Sequence, residues 1–179
     1  MHNMNLVRML EFPQHGDDRG HLVVVEGMKD VPFEIKRMFY IYGSDSEVVR
    51  GQHANKKSEF VLINVAGSSK VKVKDGEGNE AIYCLNRPHT GIYLPTMVWK
   101  DMYDFSPDSV LLVLSNEHYD SNEYIRDYSE FEKRLLIIDN KSMYYRSLNY
   151  ERHNSCRWFR HKALSLNDGN IEAIASCLR

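Results

Sequence analysis

"FVLINVAGSSKVKVKDG", Phe60–Gly76, holds two strand-like runs joined by a turn signal. Phe60–Ala66 is apolar but for Asn64, and Gly67 and Ser68 supply the turn. Beyond it, Val71 and Val73 alternate with Lys70, Lys72 and Lys74. That period of two marks a half-exposed strand, with valines inward and lysines in water. The same punctuation continues on both sides. "HLVVVEG" (21–27) and "IKRMFYIYG" (35–43) each close on glycine, and "EAIYCLN" (80–86), "TGIYLPTMVWKDMYDF" (90–105) and "SVLLVLSN" (109–116) extend the series. About eight strands with turn signals every 8 to 12 residues or so predict an all-β antiparallel barrel or jelly roll.

The pattern changes after Asn116. "SNEYIRDYSEFEKRLL" (121–136) places Tyr124, Tyr128, Phe131 and Leu135 at three- and four-residue spacings, with Ser121 as expected N-cap, and predicts a short helix on the barrel. Residues 1–139 carry 16 Lys and Arg against 22 Asp and Glu, whereas residues 140–179 carry 7 against 3. The chain therefore reads as a domain over 1–139 and a basic C-terminal extension over 140–179. The extension includes the cationic, aromatic strip "YERHNSCRWFRHK" (150–162) and a last helix capped by Asp168 or Asn170. Its expected role is to fold back on the acidic barrel or across a dimer interface, in preference to contacting RNA.

With 179 residues and a net charge of −2, the chain has room for one cored domain and no global charge that favours nucleic acid or an anionic membrane. No apolar run approaches the roughly 18 residues of a membrane span. Three cysteines without paired spacing argue for a reducing compartment, so a cytoplasmic protein is expected.

Chemistry concentrates in "RGQHANKKSEF", Arg50–Phe60. Against the general cupin pattern of His-x-His-x3-Glu with a closing glycine, the matching residues are His53, Asn55, Glu59 and Gly67. Asn55 stands where a second imidazole would, and Lys100 in "WKDM" stands near the place of a further histidine. A neutral amide is a weak metal ligand and an ammonium opposes a cation, so no metal and no other cofactor is expected.

Six segments in order, "DDRGHLVVVE", "IKRMFYIYG", "RGQHANK", "GSSKVKVKDG", "GIYLPTMVWKDMYDFS" and "VLLVLSNEHYDSNEYIRDYSEF", resemble the cupin-fold dTDP-4-keto-6-deoxyglucose 3,4-ketoisomerases. The resemblance runs from Phe12 to Phe131. It implies a homodimer that often exchanges strands between subunits, and a metal-free transfer of a carbonyl from C4 to C3 through an enediol(ate), in the supply of amino sugars for bacterial surface glycans such as O-antigen. By the same resemblance His53 is the base, Tyr40 the acid or proton relay, and Asn55 replaces a family histidine. Arg19 and Lys100 are expected to select the face of protonation at C4. Arg37, Arg50, Lys56, Ser68, Trp99, Tyr103 and Arg126 complete the candidate substrate contacts. On strict strand alternation Arg37 opposes Tyr40 and Arg50 opposes His53, which ranks the two arginines lower. Trp99 fits a sugar pocket or a core equally, and Arg126 a phosphate site or a surface ion pair. Two other readings stay open: a dTDP-keto-sugar epimerase, and a nucleotide-sugar binder that lost turnover with the second histidine.

Overall fold

The computed structural model describes residues 3–138, so the expected extension, its basic strip and its last helix lie outside the described residues. Met1–Leu136 forms one compact unit. Its first sheet is antiparallel, in the order β1 (Arg8–Glu11), β9 (Thr90–Leu94), β6 (Phe60–Ala66), β11 (Val110–Ser115), β4 (Arg37–Tyr42). The second has the order β12 (Tyr124–Ile125), β5 (Arg50–Asn55), β10 (Trp99–Tyr103), β7 (Ser69–Lys74), β8 (Glu80–Leu85). A separate hairpin pairs β2 (Gln14–Asp17) with β3 (Gly20–Val23). The expected all-β jelly roll is present, as two facing sheets and with more, shorter strands than the eight read from the turn signals.

The alternation in β7 is realised: Val71 and Val73 are fully buried while the flanking lysines stay partly exposed. The valines meet Leu62, Ile92, Leu111 and Val113 of the first sheet in the core between the sheets. The other face of the first sheet is covered by its own chain. Phe12, Val31 and Phe33 pack there on Val61, Ile63 and Leu114, which is why Phe60–Asn64 is buried at every position instead of alternating. Gly67, at φ +62, makes the turn into β7.

The region after Asn116 divides differently from the sequence expectation. Asp120, not Ser121, caps a 3-10 turn over Ser121–Glu123; Tyr124–Ile125 then pairs with Asn55 and Ala54 of β5. A helix occupies 128–138, and Asp127 accepts from Glu130 N at 2.8 Å as its cap. Phe131 and Leu135 pack with Trp99, Met97 and Ile125 on the outer face of the second sheet. Three- and four-residue spacing across Tyr124 misled because Tyr124 and Tyr128 belong to different elements.

One irregularity aims the residues of the site. Lys100 pairs with His53 but Asp101 pairs with Gly51, so the ladder skips Gln52. Gly51 and Gln52 both adopt positive φ, at 89° and 52°, forming a bulge. The extra residue turns Arg50 back to the His53 side, against the strict alternation expected from sequence. Gly51 has no substitute here, since a Cβ would lie 2.7 Å from the Lys100 carbonyl oxygen. Gly51→Ala is expected to lower stability by about 2 kcal/mol or more, a fall in Tm of roughly 4–8 °C in thermal denaturation.

Candidate active site

A cavity of about 270 Å³ opens between the sheets. The first sheet contributes Phe39, Ile41, Phe60, Leu62 and Val113; the second contributes Arg50, Gly51, His53, Lys100 and Met102, and Tyr124 stands beside them. The wall is apolar, and the basic groups cluster on the second sheet.

His53 is fixed on two sides. Its Nδ1 lies 2.7 Å from the Gly51 carbonyl oxygen, an acceptor that requires the proton on Nδ1 and leaves Nε2 with a free lone pair. The Tyr124 ring meets the imidazole edge-on at 4.8 Å between centroids. Burial, and next the Lys100 ammonium, pull the imidazole down to about 4, with Arg126 adding to them and the Gly51 hydrogen bond opposing. His53 is therefore a neutral base across the physiological range.

Lys100 lies directly across the ladder from His53, which puts their Cβ atoms on one face. It is buried, donates from Nζ to Asn55 Oδ1 at 2.5 Å, and sits 4.7 Å from the centroid of Phe60. Burial draws its ammonium down to about 7, against the pull of Glu123. Glu123 itself is engaged with the chain just past β5: it accepts from the backbone of Lys57 and Ser58 and from the Ser58 hydroxyl. That clasp fastens β12, and with it Tyr124, alongside β5.

The expected site residues separate into three groups. His53, Arg50 and Lys100 line the cavity, and Asn55 lies behind Lys100 as its acceptor. Arg37 is on the inward face of β4 with Phe39 and Ile41, held 3.4 Å from Ser115 Oγ. Lys56 reaches the Asn122 carbonyl at 2.6 Å, so it closes the same clasp as Glu123.

The third group lies away from the cavity within one chain. Tyr40 was ranked above Arg37, yet β4 is regular and turns Tyr40 to the opposite face from Phe39 and Ile41, where it is 58% exposed. Trp99 and Tyr103 alternate away from Lys100 and Met102; Trp99 packs on Tyr128 and Phe131, and Tyr103 lies over Lys72. Ser68 belongs to the β6–β7 turn, bonded through its backbone to Ser106. Arg126 stacks on Tyr124 and borders a separate open cleft with Trp99 and Asp101. Arg19 sits at the tip of the hairpin, paired with Asp17 and 90% exposed. Glu59, the counterpart of a cupin ligand, accepts from Tyr93 at 3.1 Å. Among the described residues no three His, Cys, Asp or Glu are grouped to hold a metal ion.

Sequence reasoning missed Tyr124, Phe39 and Phe60. Tyr124 was hidden by the helical reading of its segment, and alternation groups Phe39 with Arg37 and Ile41 without marking their face as the inward one.

The WxcM-like, C-terminal family (FdtA) matches residues 5–135. The TDP-4-oxo-6-deoxy-alpha-D-glucose-3,4-oxoisomerase of Aneurinibacillus thermoaerophilus is 41% identical over 132 residues, which cover 74% of this chain and 94% of the relative. A 3,4-ketoisomerase structure from Helicobacter canadensis is 42% identical with a TM-score of 0.69, covering 72% of this chain and 96% of that one. The QdtA 3,4-ketoisomerase from Thermoanaerobacterium thermosaccharolyticum, solved as a histidine-to-asparagine variant in complex with TDP-4-keto-6-deoxyglucose, is 41% identical with a TM-score of 0.70, covering 72% and 92%. The chain belongs to the WxcM-like (FdtA) family, as the six segments implied.

A buried ammonium carries a pH-dependent cost. Lys100 binds its proton less tightly when folded than when unfolded, so the cost is full below about pH 7 and vanishes as pH rises through the ordinary lysine value. Lys100→Met is expected to raise stability by up to the order of 4 kcal/mol at pH 6, and by progressively less toward pH 10, in denaturation followed at both pH values.

Proposed function

We propose that this protein is a TDP-4-keto-6-deoxyhexose 3,4-ketoisomerase with His53 as its base. The observation that carries the reading is a neutral imidazole with its Nδ1 pinned to Gly51 and its Nε2 free, in an inter-sheet cavity of a chain about two-fifths identical to such isomerases.

The reaction exchanges a carbonyl and an alcohol on neighbouring carbons. The C4 carbonyl acidifies the C3 proton; an uncharged imidazole takes it, and an enediol(ate) forms whose charge a nearby cation stabilises. Protonation at C4, with loss of the O3 proton and gain of one at O4, then gives the 3-ketone. Lys100 supplies the cation opposite His53.

A cavity of about 270 Å³ is below the usual 300–1,000 Å³ range for enclosing drug-sized ligands. It takes the sugar, and the diphosphate and thymidine extend past its rim. The diphosphate is assigned to Arg50, and support for this comes from its Nε, which donates to Ser44 Oγ at 2.8 Å and so orients the guanidinium at the cavity edge.

A homodimer accounts for residues that a single chain leaves idle. The β2–β3 hairpin is exposed along nearly its whole length, and β4, the last strand of its sheet, exposes Met38, Tyr40 and Tyr42. Exchange of the hairpin between two copies would carry Arg19 to the partner's cavity. The proposed setting is the cytoplasmic supply of sugars for a surface glycan; among the described residues no helix is long and apolar enough to cross a membrane.

In deuterated buffer, TDP-4-keto-6-deoxyglucose is expected to lose its C3 proton signal and develop a 3-keto spectrum by NMR. With His53→Ala both changes should fall by 10²-fold or more. An unchanged sugar whose thymidine signals broaden would sink the isomerase reading in favour of a silent binder. Deuterium at C3 with no 3-ketone would favour an epimerase. The dimer is tested separately: light scattering should give about twice the 21.0 kDa chain mass, and Tyr40→Lys with Tyr42→Lys should lower it.

A further inference from the structure

Ketoisomerisation moves two protons: one leaves C3 and one arrives at C4, while another leaves O3 and one arrives at O4. His53 has one free ring nitrogen, since Nδ1 is committed to Gly51. A single site of that kind serves the carbon-bound proton and leaves the oxygen-bound proton without a carrier.

Lys100 has the features of such a carrier. Lys100 lines the cavity from the ladder position facing His53, its Nζ lies 4.7 Å from the ring centroid of the lining Phe60, and Asn55 Oδ1 is its single hydrogen-bond partner among the described residues. No carboxylate there pairs with it, because Glu123 is occupied by the Ser58 clasp. A buried ammonium left with one amide oxygen and one aromatic face is costly to keep unless its remaining N–H bonds are used by a ligand.

The choice of Asn55 suits that role. Its amide oxygen is always an acceptor, whereas an imidazole at the same place would present a proton or a positive charge to the ammonium in some of its states. Asn55 thus fixes the direction of Nζ without competing for its proton, which makes it a positioning residue.

Resting on the ketoisomerase reading above, we propose that Lys100 is the second catalytic group, carrying the proton between O4 and O3 while His53 carries the one between C3 and C4. In the first half-reaction the C3–H bond breaks toward His53 Nε2, its electron pair forms the C3=C4 bond, and the C4 carbonyl oxygen takes a proton from the Lys100 ammonium. In the second, the Lys100 amine takes the O3 proton as the C3 carbonyl forms, and the double-bond pair takes a proton at C4 from the His53 imidazolium. C3 is oxidised, C4 is reduced, and both side chains return to their starting states.

Such a cycle needs ammonium and amine both accessible at working pH. Burial places Lys100 near 7, with Glu123 drawing it up. The other charged or titratable groups around it are His53 and Arg50 on β5, Tyr124 on β12, Arg126 beyond it, and Asp101 on the outer face of β10.

The test is the pH profile of 3-ketone formation from TDP-4-keto-6-deoxyglucose by the full chain, with deuterium entry at C3 and broadening of the thymidine signals recorded alongside. Wild type should lose activity above about pH 7 as the ammonium discharges. Lys100→Met should still bind nucleotide sugar but form 3-ketone 10²–10⁴-fold more slowly, without that alkaline limb. Lys100→Arg keeps the charge but cannot give it up, so it should admit deuterium at C3 while 3-ketone formation falls. Asn55→Asp, which sets a carboxylate against Nζ, should move the limb upward by a unit or more. Lys100→Arg forming 3-ketone at the wild-type rate, or a limb unmoved in Asn55→Asp, would overturn the Lys100 assignment alone. Wild type that neither exchanges nor isomerises would overturn the ketoisomerase reading and this inference with it.

Discussion

The register shift between Lys100 and Asp101 determines what this site can be. Without the extra residue at Gln52, the face of β5 that carries His53 would lose Arg50, and the Gly51 carbonyl would not be turned to within reach of the His53 ring. The shift requires a positive φ at Gly51 and a close approach to the Lys100 carbonyl, two demands that only glycine meets together. A backbone defect of one residue thus sets the tautomer of the base and the position of the cation facing it.

The electrostatics follow from placing several basic groups on one sheet under an apolar roof. Phe39, Ile41, Phe60, Leu62 and Val113 form one side of the cavity, so the buried Lys100 ammonium is poorly solvated, whereas Arg50 at the edge stays exposed. Burial lowers the proton affinity of both His53 and Lys100, and the Lys100 ammonium lowers that of His53 further. The imidazole stays neutral while the lysine retains a proton it can release. Glu123 could have neutralised Lys100, but its oxygens are spent on Lys57 and Ser58. The carboxylate acts at a distance, enough to moderate the ammonium without trapping it in an ion pair.

Much of the fold was legible because the alternation of Val71 and Val73 with lysine can serve only a two-faced strand, and turn glycines marked the strand ends. His53, Arg50 and Lys100 were legible from their segments. Their mutual geometry was not, because a bulge leaves no clear mark on periodicity: "RGQHAN" reads equally well as a regular strand, and there Arg50 would point away. Tyr40 illustrates the opposite failure. Its strand is regular, and alternation correctly set it against Arg37, but nothing in the sequence said which of the two faces was inward. The inward face was decided by β11, whose Leu111 and Val113 join the inter-sheet core opposite Ile41 and Phe39. The segment after Asp120 failed for a third reason. A two-residue strand held by the Glu123 clasp is a tertiary arrangement, and its tyrosine falls by coincidence on a helical spacing.

Asn55 then takes a different meaning from the one its place in the sequence suggests. Set against a pattern that has histidine, asparagine reads as a loss of acid–base capacity. In the folded chain it lies against a buried lysine, and a titrating neighbour there would either repel the ammonium or take its proton. A group that can titrate is present at position 100 instead, one strand away and directly opposite His53 in the ladder. Substitutions at a proton-transfer site are therefore better judged as pairs than singly. What the chemistry constrains is the number of exchangeable protons facing the substrate and the charge around them, and more than one pair of side chains satisfies both.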